Sequence, residues 1–190
     1  MEQKTLTSQQ AVDVLKKGGV GVMPTDTVYG VVASATNDRA VERLYALKQR
    51  ERKPGTLVAA SLDQLRQLGV PERYFEKLNI YWPGRLSAVL PVGDEFAYLH
   101  QGVGDIAIRV VADKQFRYIL EQTGPLVTSS ANHPGEPGAV NVHQAWDYFN
   151  DRVDFYVDGG DLSDRAPSTI VRIATDGDFE VLRDGAVKLV

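Results

Sequence analysis

The sequence predicts an α/β fold built on one twisted, mixed β-sheet flanked by helices. Short apolar runs of strand length alternate along the chain with segments whose apolar residues recur at helical spacing. Turn signals such as Asp176-Gly177-Asp178 join some neighbouring strands directly, so antiparallel pairs sit beside parallel ones. The 190 residues suffice for one sizeable core and contain no repeat, low-complexity tract or linker, so residues 1–190 are expected to form a single domain.

Each element has its own signal. Thr7 and Gln10 form the pattern of a capping box, opening an amphipathic helix through Val12, Leu15 and Lys17 that Gly18 and Gly19 end. Val20 to Met23 and Val31 to Ala35 read as strands on either side of a bend, Pro24-Thr-Asp-Thr-Val-Tyr-Gly30. Thr36-Asn37-Asp38 caps a helix with apolar Val41, Leu44 and Leu47, which delivers Lys48 to a loop carrying Arg50, Arg52 and Lys53. Thr56 to Ala60 is a strand, Ser61 caps a short helix, and Pro71 opens another that Trp82-Pro-Gly84 breaks. Leu86 to Val92 and Ile106 to Val111 are strands, Lys114 to Gln122 is helical, and Leu126 to Ser129 is a strand. Asn141 caps the helix of Trp146 and Phe149, and the strands Val153 to Val157, Ser168 to Ala174 and Phe179 to Arg183 complete the chain.

Composition narrows the function. The absence of Cys removes disulfide scaffolds, thiolate metal sites and thiol nucleophiles. No apolar leader opens the chain and no apolar run approaches membrane-spanning length, so a soluble, cytoplasmic protein is expected. A net charge of −4 argues against a general nucleic-acid binder while leaving room for a local basic pocket. His100, His133 and His143 lack metal-ligand spacing, so no protein metal site is expected. Neither a Gly-x-x-x-x-Gly-Lys loop nor a Gly-x-Gly-x-x-Gly turn is present, and no Ser-His-Asp arrangement stands out.

Two distant segments read as halves of an anion site. Lys48 and Arg50 lie two apart, as do Ser130 and Asn132, and residues two apart share a face where the backbone is extended. Together they supply the charge, planar fork and neutral donors that suit a polyphosphate. Thr25, Thr27 and Tyr29 would likewise share a face and offer hydroxyls to a small polar ligand. Arg109 interrupts an apolar strand, which is costly unless it is paired, so it is a candidate carboxylate or phosphate clamp. Ser168, at a strand start, and Arg183, before Asp184-Gly185, are further candidates.

Taken together, Pro24-Thr-Asp-Thr-Val-Tyr-Gly30, Leu47-Lys-Gln-Arg50, Trp82-Pro-Gly84, Ile108-Arg-Val110, Ser129-Ser-Ala-Asn132, Pro167-Ser-Thr-Ile170 and Leu182-Arg-x-Gly185 resemble the YrdC-like family, in its order and over nearly the whole chain. The resemblance implies a YrdC-like fold and a nucleotidyltransferase that joins L-threonine, bicarbonate and ATP into L-threonylcarbamoyladenylate, releasing pyrophosphate. A tRNA-threonylcarbamoyl transferase machinery would then use the product, with at most a weak direct contact to RNA. It places Lys48 and Arg50 in catalysis and Lys48, Arg50, Ser130, Asn132 and Arg183 around ATP, whose phosphates would carry Mg²⁺. Thr27, Tyr29, Arg109 and Ser168 would surround threonine, with Arg109 on its carboxylate. On this reading Lys48→Ala or Arg50→Ala removes turnover and leaves the fold intact. Departures from the family pattern at Arg85, Ser87, the Pro54 loop and His133 touch pocket walls and bear on amino-acid specificity. The alternative is a non-catalytic RNA-binding or accessory protein of the same fold. A carbamoyl-adenylate module of the hydrogenase-maturation type fits less well, because such modules lie within much longer chains.

Overall fold

A computed structural model describes residues 5–49, 51–173 and 178–189. Helix α1 (Ser8–Lys16) starts on the expected capping box: Thr7 Oγ1 accepts from Gln10 N, and the Gln10 side chain accepts from Thr7 N. Strands β1 (Gly21–Pro24) and β2 (Tyr29–Ser34) follow, then α2 (Asp38–Leu47), capped by Asn37. Next come β3 (Thr56–Ala59), α3 (Leu62–Leu68, capped by Ser61) and the single turn α4 (Phe75–Leu78). Strand β4 (Leu86–Pro91) leads through α5 (Ala97–His100), an element without a sequence signal, to β5 (Asp105–Val110). Then follow α6 (Lys114–Thr123), β6 (Leu126–Ser130) and α7 (Val142–Phe149, capped by Asn141). The last strands are β7 (Phe155–Tyr156), shorter than expected, β8 (Thr169–Ile173) and β9 (Phe179–Arg183). The turn signal at Asp176 and Gly177 lies outside the described residues.

Among the described residues the nine strands join one sheet in the order β7-β1-β2-β6-β3-β5-β4-β8-β9. It is mixed, as expected: β1/β7, β3/β5 and β4/β8 are parallel, while β1/β2, β2/β6, β3/β6, β4/β5 and β8/β9 are antiparallel.

Alternation along the strands sorts side chains into two layers. On one face Val31, Ala33, Leu57, Ala59, Ile108 and Val127 pack with Val41 and Leu44 of α2, Leu65 of α3 and Phe149 of α7. On the other, Val32, Val58 and Leu126 pack with Ala11, Val12 and Leu15 of α1 and Phe116, Ile119 and Leu120 of α6. This second core covers only part of its face. The uncovered remainder of that face becomes the site.

One polar tie secures the sheet margin. Asp154 Oδ2 accepts from Val20 N at 2.8 Å and from Arg43 Nη1 of α2 at 2.5 Å. Partial burial pushes the Asp154 carboxyl up, but Arg43 and the Val20 N–H outweigh it and hold the group below its ordinary range. The folded state therefore keeps Asp154 ionised where the unfolded chain takes up a proton. Its contribution is full above the unfolded pKa, about 4, and is lost as pH falls through the lower folded value. Urea unfolding at about pH 7 and about pH 3 is expected to show a larger loss in the parent protein than in Asp154→Asn; equal losses would discount the tie.

No helix among the described residues is long and apolar enough to cross a membrane.

Candidate active site

The strand registers place Gly30, Thr56, Ser87, Ala107, Arg109, Thr128, Ser130, Ile170 and Arg183 on one face of the sheet. Gly30 pairs with Ser130, Thr56 with both Thr128 and Ala107, and Ser87 with Ile170, which pairs in turn with Arg183. Beyond the edge of the α1/α6 core all of these residues except Ser87, which lies beneath it, border a cavity of about 150 Å³. Thr25, Thr27, Val28, Pro54, Gly55, Ser129, Pro167 and Ser168 complete its wall. It is smaller than the roughly 300–1,000 Å³ of drug-sized sites and suits a small polar ligand. Gly30 is needed here, because a Cβ at this position would stand 2.4 Å from Thr128 Oγ1.

The bend between β1 and β2 is a tight turn, closed by Thr25 N–H donating to Val28 O at 3.1 Å. Thr25 Oγ1 donates to the same carbonyl at 2.6 Å and lies 3.2 Å from Thr27 Oγ1. The turn corrects one expectation. Thr25 and Thr27 face the cavity, but Tyr29 does not, because the intervening turn breaks the extended alternation and sends the phenol to the opposite layer. There the Tyr29 hydroxyl donates to Gly160 O at 2.9 Å and accepts from Gly159 N at 2.7 Å, tying down the loop after β7. Burial, aided by the carboxylate of Asp158, raises its pKa and keeps it protonated.

Asp26, in the same turn, is the partner of Arg109 that sequence reasoning missed. It is 1 % exposed and pairs with Arg109, itself 2 % exposed. Arg109 Nε donates to Asp26 Oδ2 at 3.1 Å, Nη2 to Oδ1 at 2.8 Å, and Nη1 to Ser87 Oγ at 2.8 Å. Ser87 Oγ lies 3.0 Å from Ser168 Oγ, which accepts at 3.0 Å from Arg183 Nη2. Arg109, Ser168 and Arg183 therefore meet through a network that includes Asp26 and Ser87, which sets Arg183, expected around ATP, beside two residues expected around threonine. The available signal was Arg109 itself, since a buried guanidinium in an apolar strand requires a carboxylate.

Of the anion-site residues, Lys48, Ser130 and Asn132 also converge, in a different manner. Lys48 caps α2 with helical dihedrals and Gln49 has a φ of +47°, so the extended alternation assumed for Lys48 and Arg50 does not hold; Arg50 lies outside the described residues. Lys48 is 2 % exposed. Its ammonium donates to Ser130 O at 2.7 Å, to Asn132 Oδ1 at 2.9 Å and to Asn132 O, with the Phe149 ring 5.9 Å away. Ser130 Oγ donates to Asn132 Oδ1 at 2.7 Å, and Asn132 Nδ2 donates to His133 O and Glu136 O. Lys48 and Asn132 are thus loop-building groups in this conformation, while Ser130 borders the cavity. Among the described residues no cluster of three or more His, Cys, Asp or Glu is placed to hold a metal ion. The donors gathered here are hydroxyl, amide and cationic groups, which suit phosphate or carboxylate oxygens.

Comparison with known proteins bears on the family and the fold. The family model Sua5_yciO_yrdC, described as "Telomere recombination", matches residues 13–185. A threonylcarbamoyl-AMP synthase of Marinobacter nauticus is 37% identical over 168 residues, covering 85% of this chain and 88% of the relative. The crystal structure of P. abyssi Sua5 complexed with L-threonine superposes with a TM-score of 0.81 at 27% identity, over 96% of this chain and 56% of that one. E. coli YciO superposes with a TM-score of 0.81 at 27% identity, over 95% of this chain and 90% of that one. The chain thus spans little more than half of the Sua5 chain and most of the other two. The ordered motifs, the sheet and the extent of these matches lead to one conclusion: the chain belongs to the Sua5/YciO/YrdC family.

Proposed function

We propose that the cavity is the amino-acid end of the active centre of an L-threonylcarbamoyladenylate synthase, a nucleotidyltransferase that condenses L-threonine, bicarbonate and ATP to threonylcarbamoyl-AMP and pyrophosphate. The observation that carries this reading is the adjacency of two donor sets, one that reaches the cavity through Ser130 and one that lines it. Ser130, held beside Lys48 and Asn132, borders the same small cavity as Arg109, Ser168 and Thr27. The first set, with Arg183 and Arg50, is assigned to ATP, and Mg²⁺ is proposed to enter on its phosphates. The second is assigned to threonine: Arg109 and Ser168 to its carboxylate, Thr27 to its polar edge. Tyr29 is reassigned from direct contact to support of the 158–160 loop.

The chemistry asks little of a protein nucleophile. The threonine amine, in its neutral form, attacks the carbon of bicarbonate, which loses water, or of CO2 derived from it, in which case the nitrogen gives up a proton to solvent. The resulting carbamate oxygen attacks the α-phosphorus, the bond to the β-phosphate breaks, and pyrophosphate leaves. Positioning and neutralisation of developing phosphate charge supply most of the rate. Downstream, a tRNA-threonylcarbamoyl transferase machinery in the cytoplasm would take up the adenylate.

The test is pyrophosphate release from ATP and bicarbonate, with L-threonine, with L-serine and with neither. Release that depends on threonine, at least about tenfold above serine, is expected. Threonine-independent release, or none, defeats the assignment and favours a non-catalytic RNA-binding or accessory role.

A further inference from the structure

We propose that Asp26 and Ser87 are positioning residues for amino-acid recognition: they clamp Arg109 from two sides, so that its remaining N–H groups and the Ser168 hydroxyl stand as fixed donors to a carboxylate in the cavity. The proposal rests on the threonine reading of this site and assigns two residues to it that touch no substrate.

The donor logic follows from chemistry. A guanidinium has only donors, so Ser87 Oγ must accept from Arg109 Nη1. The Ser87 proton is then available to Ser168 Oγ, 3.0 Å away. Arg183 Nη2 donates to that same oxygen. With two donors on its oxygen, Ser168 directs its own O–H elsewhere, and Ser168 lines the cavity. Arg109 is in a similar position: three of its five N–H groups are engaged by Asp26 and Ser87, two remain, and the residue lines the cavity.

Asp26 is different. It does not border the cavity, so its carboxylate acts on a ligand only through Arg109. The bidentate contact fixes the guanidinium plane, which a single-point partner leaves free to rotate. It also balances the arginine's charge. Recognition therefore depends on oriented N–H groups rather than on a net cation, which keeps the floor of the cavity selective for a small carboxylate beside a polyphosphate.

The experiment is calorimetric titration of L-threonine and, separately, of ATP into the parent protein, Ser87→Ala, Ser87→Thr and Asp26→Asn, each first shown folded by circular dichroism. Ser87→Ala is expected to weaken threonine binding by about tenfold and to leave ATP binding within about twofold. Ser87→Thr keeps the hydroxyl and is expected to bind threonine like the parent. Asp26→Asn is expected to weaken threonine more than Ser87→Ala does, again sparing ATP. Should Ser87→Ala not fold, Ser87→Cys keeps the volume with a poor donor and acceptor and carries the same expectation. Unchanged threonine affinity in the folded Ala or Cys variant overturns the clamp. So does a Ser87→Thr variant as weak as Ser87→Ala, since packing rather than the hydroxyl would then be responsible. A parent protein that binds ATP and not threonine removes the amino-acid reading itself, and that failure is seen before any variant is compared.

Discussion

Lys48→Met is expected to lower turnover by more than about a hundredfold and to destabilise the protein by about 3 kcal/mol. The two losses share a cause. Methionine keeps the stem in its buried position but leaves Ser130 O, Asn132 O and Asn132 Oδ1 without the ammonium that gathers them. Hydrogen bonds to a charged group are each worth more than neutral ones, and buried acceptors left unmade cost more still. The loop that carries Ser130 to the cavity then loses its register. This revises the expectation, drawn from the motif alone, that losing Lys48 spares the fold. Urea unfolding and pyrophosphate release on the same preparation decide the matter. Lost turnover at unchanged stability would make Lys48 a direct phosphate ligand, and no loss of either would remove it from the site. Arg50→Ala is expected to reduce turnover.

Arg109→Ala is expected to cost about 3–5 kcal/mol, because it strands Asp26 as a buried carboxylate with no counter-charge. An increased KM for threonine in that variant is therefore not interpretable by itself. The double variant Arg109→Met with Asp26→Asn removes both charges, and it is expected to regain most of the lost stability. Threonine KM is expected to stay raised by at least about tenfold in the double variant while ATP KM moves little. Recovery of threonine KM together with stability would show that Arg109 is a structural ion pair with no part in recognition. Equal effects on both substrates would place it elsewhere than on the carboxylate.

Much of the framework was legible before any coordinates. Thr7 with Gln10, Asn37, Ser61 and Asn141 each cap the helix they were expected to cap, since a cap is a contact between residues three apart and needs nothing else from the fold. The mixed sheet followed from the spacing of apolar runs. By contrast α5 has too short an apolar pattern to register, and β7 pairs over fewer residues than its composition suggests.

The chain alone established the α/β class, the helix starts and the set of residues from which a site for a phosphate and a carboxylate is drawn, because each of these depends on local periodicity or on residue chemistry. Folding decided which of those residues touch. Whether Tyr29 shares a face with Thr27 turns on the conformation of the residues between them. The partner of Arg109 lies 83 positions away, brought in by a turn on a different strand pair. Lys48 meets Asn132 across 84 positions for the same reason. Contacts of that range are set by strand order and register, and a list of residues does not contain either.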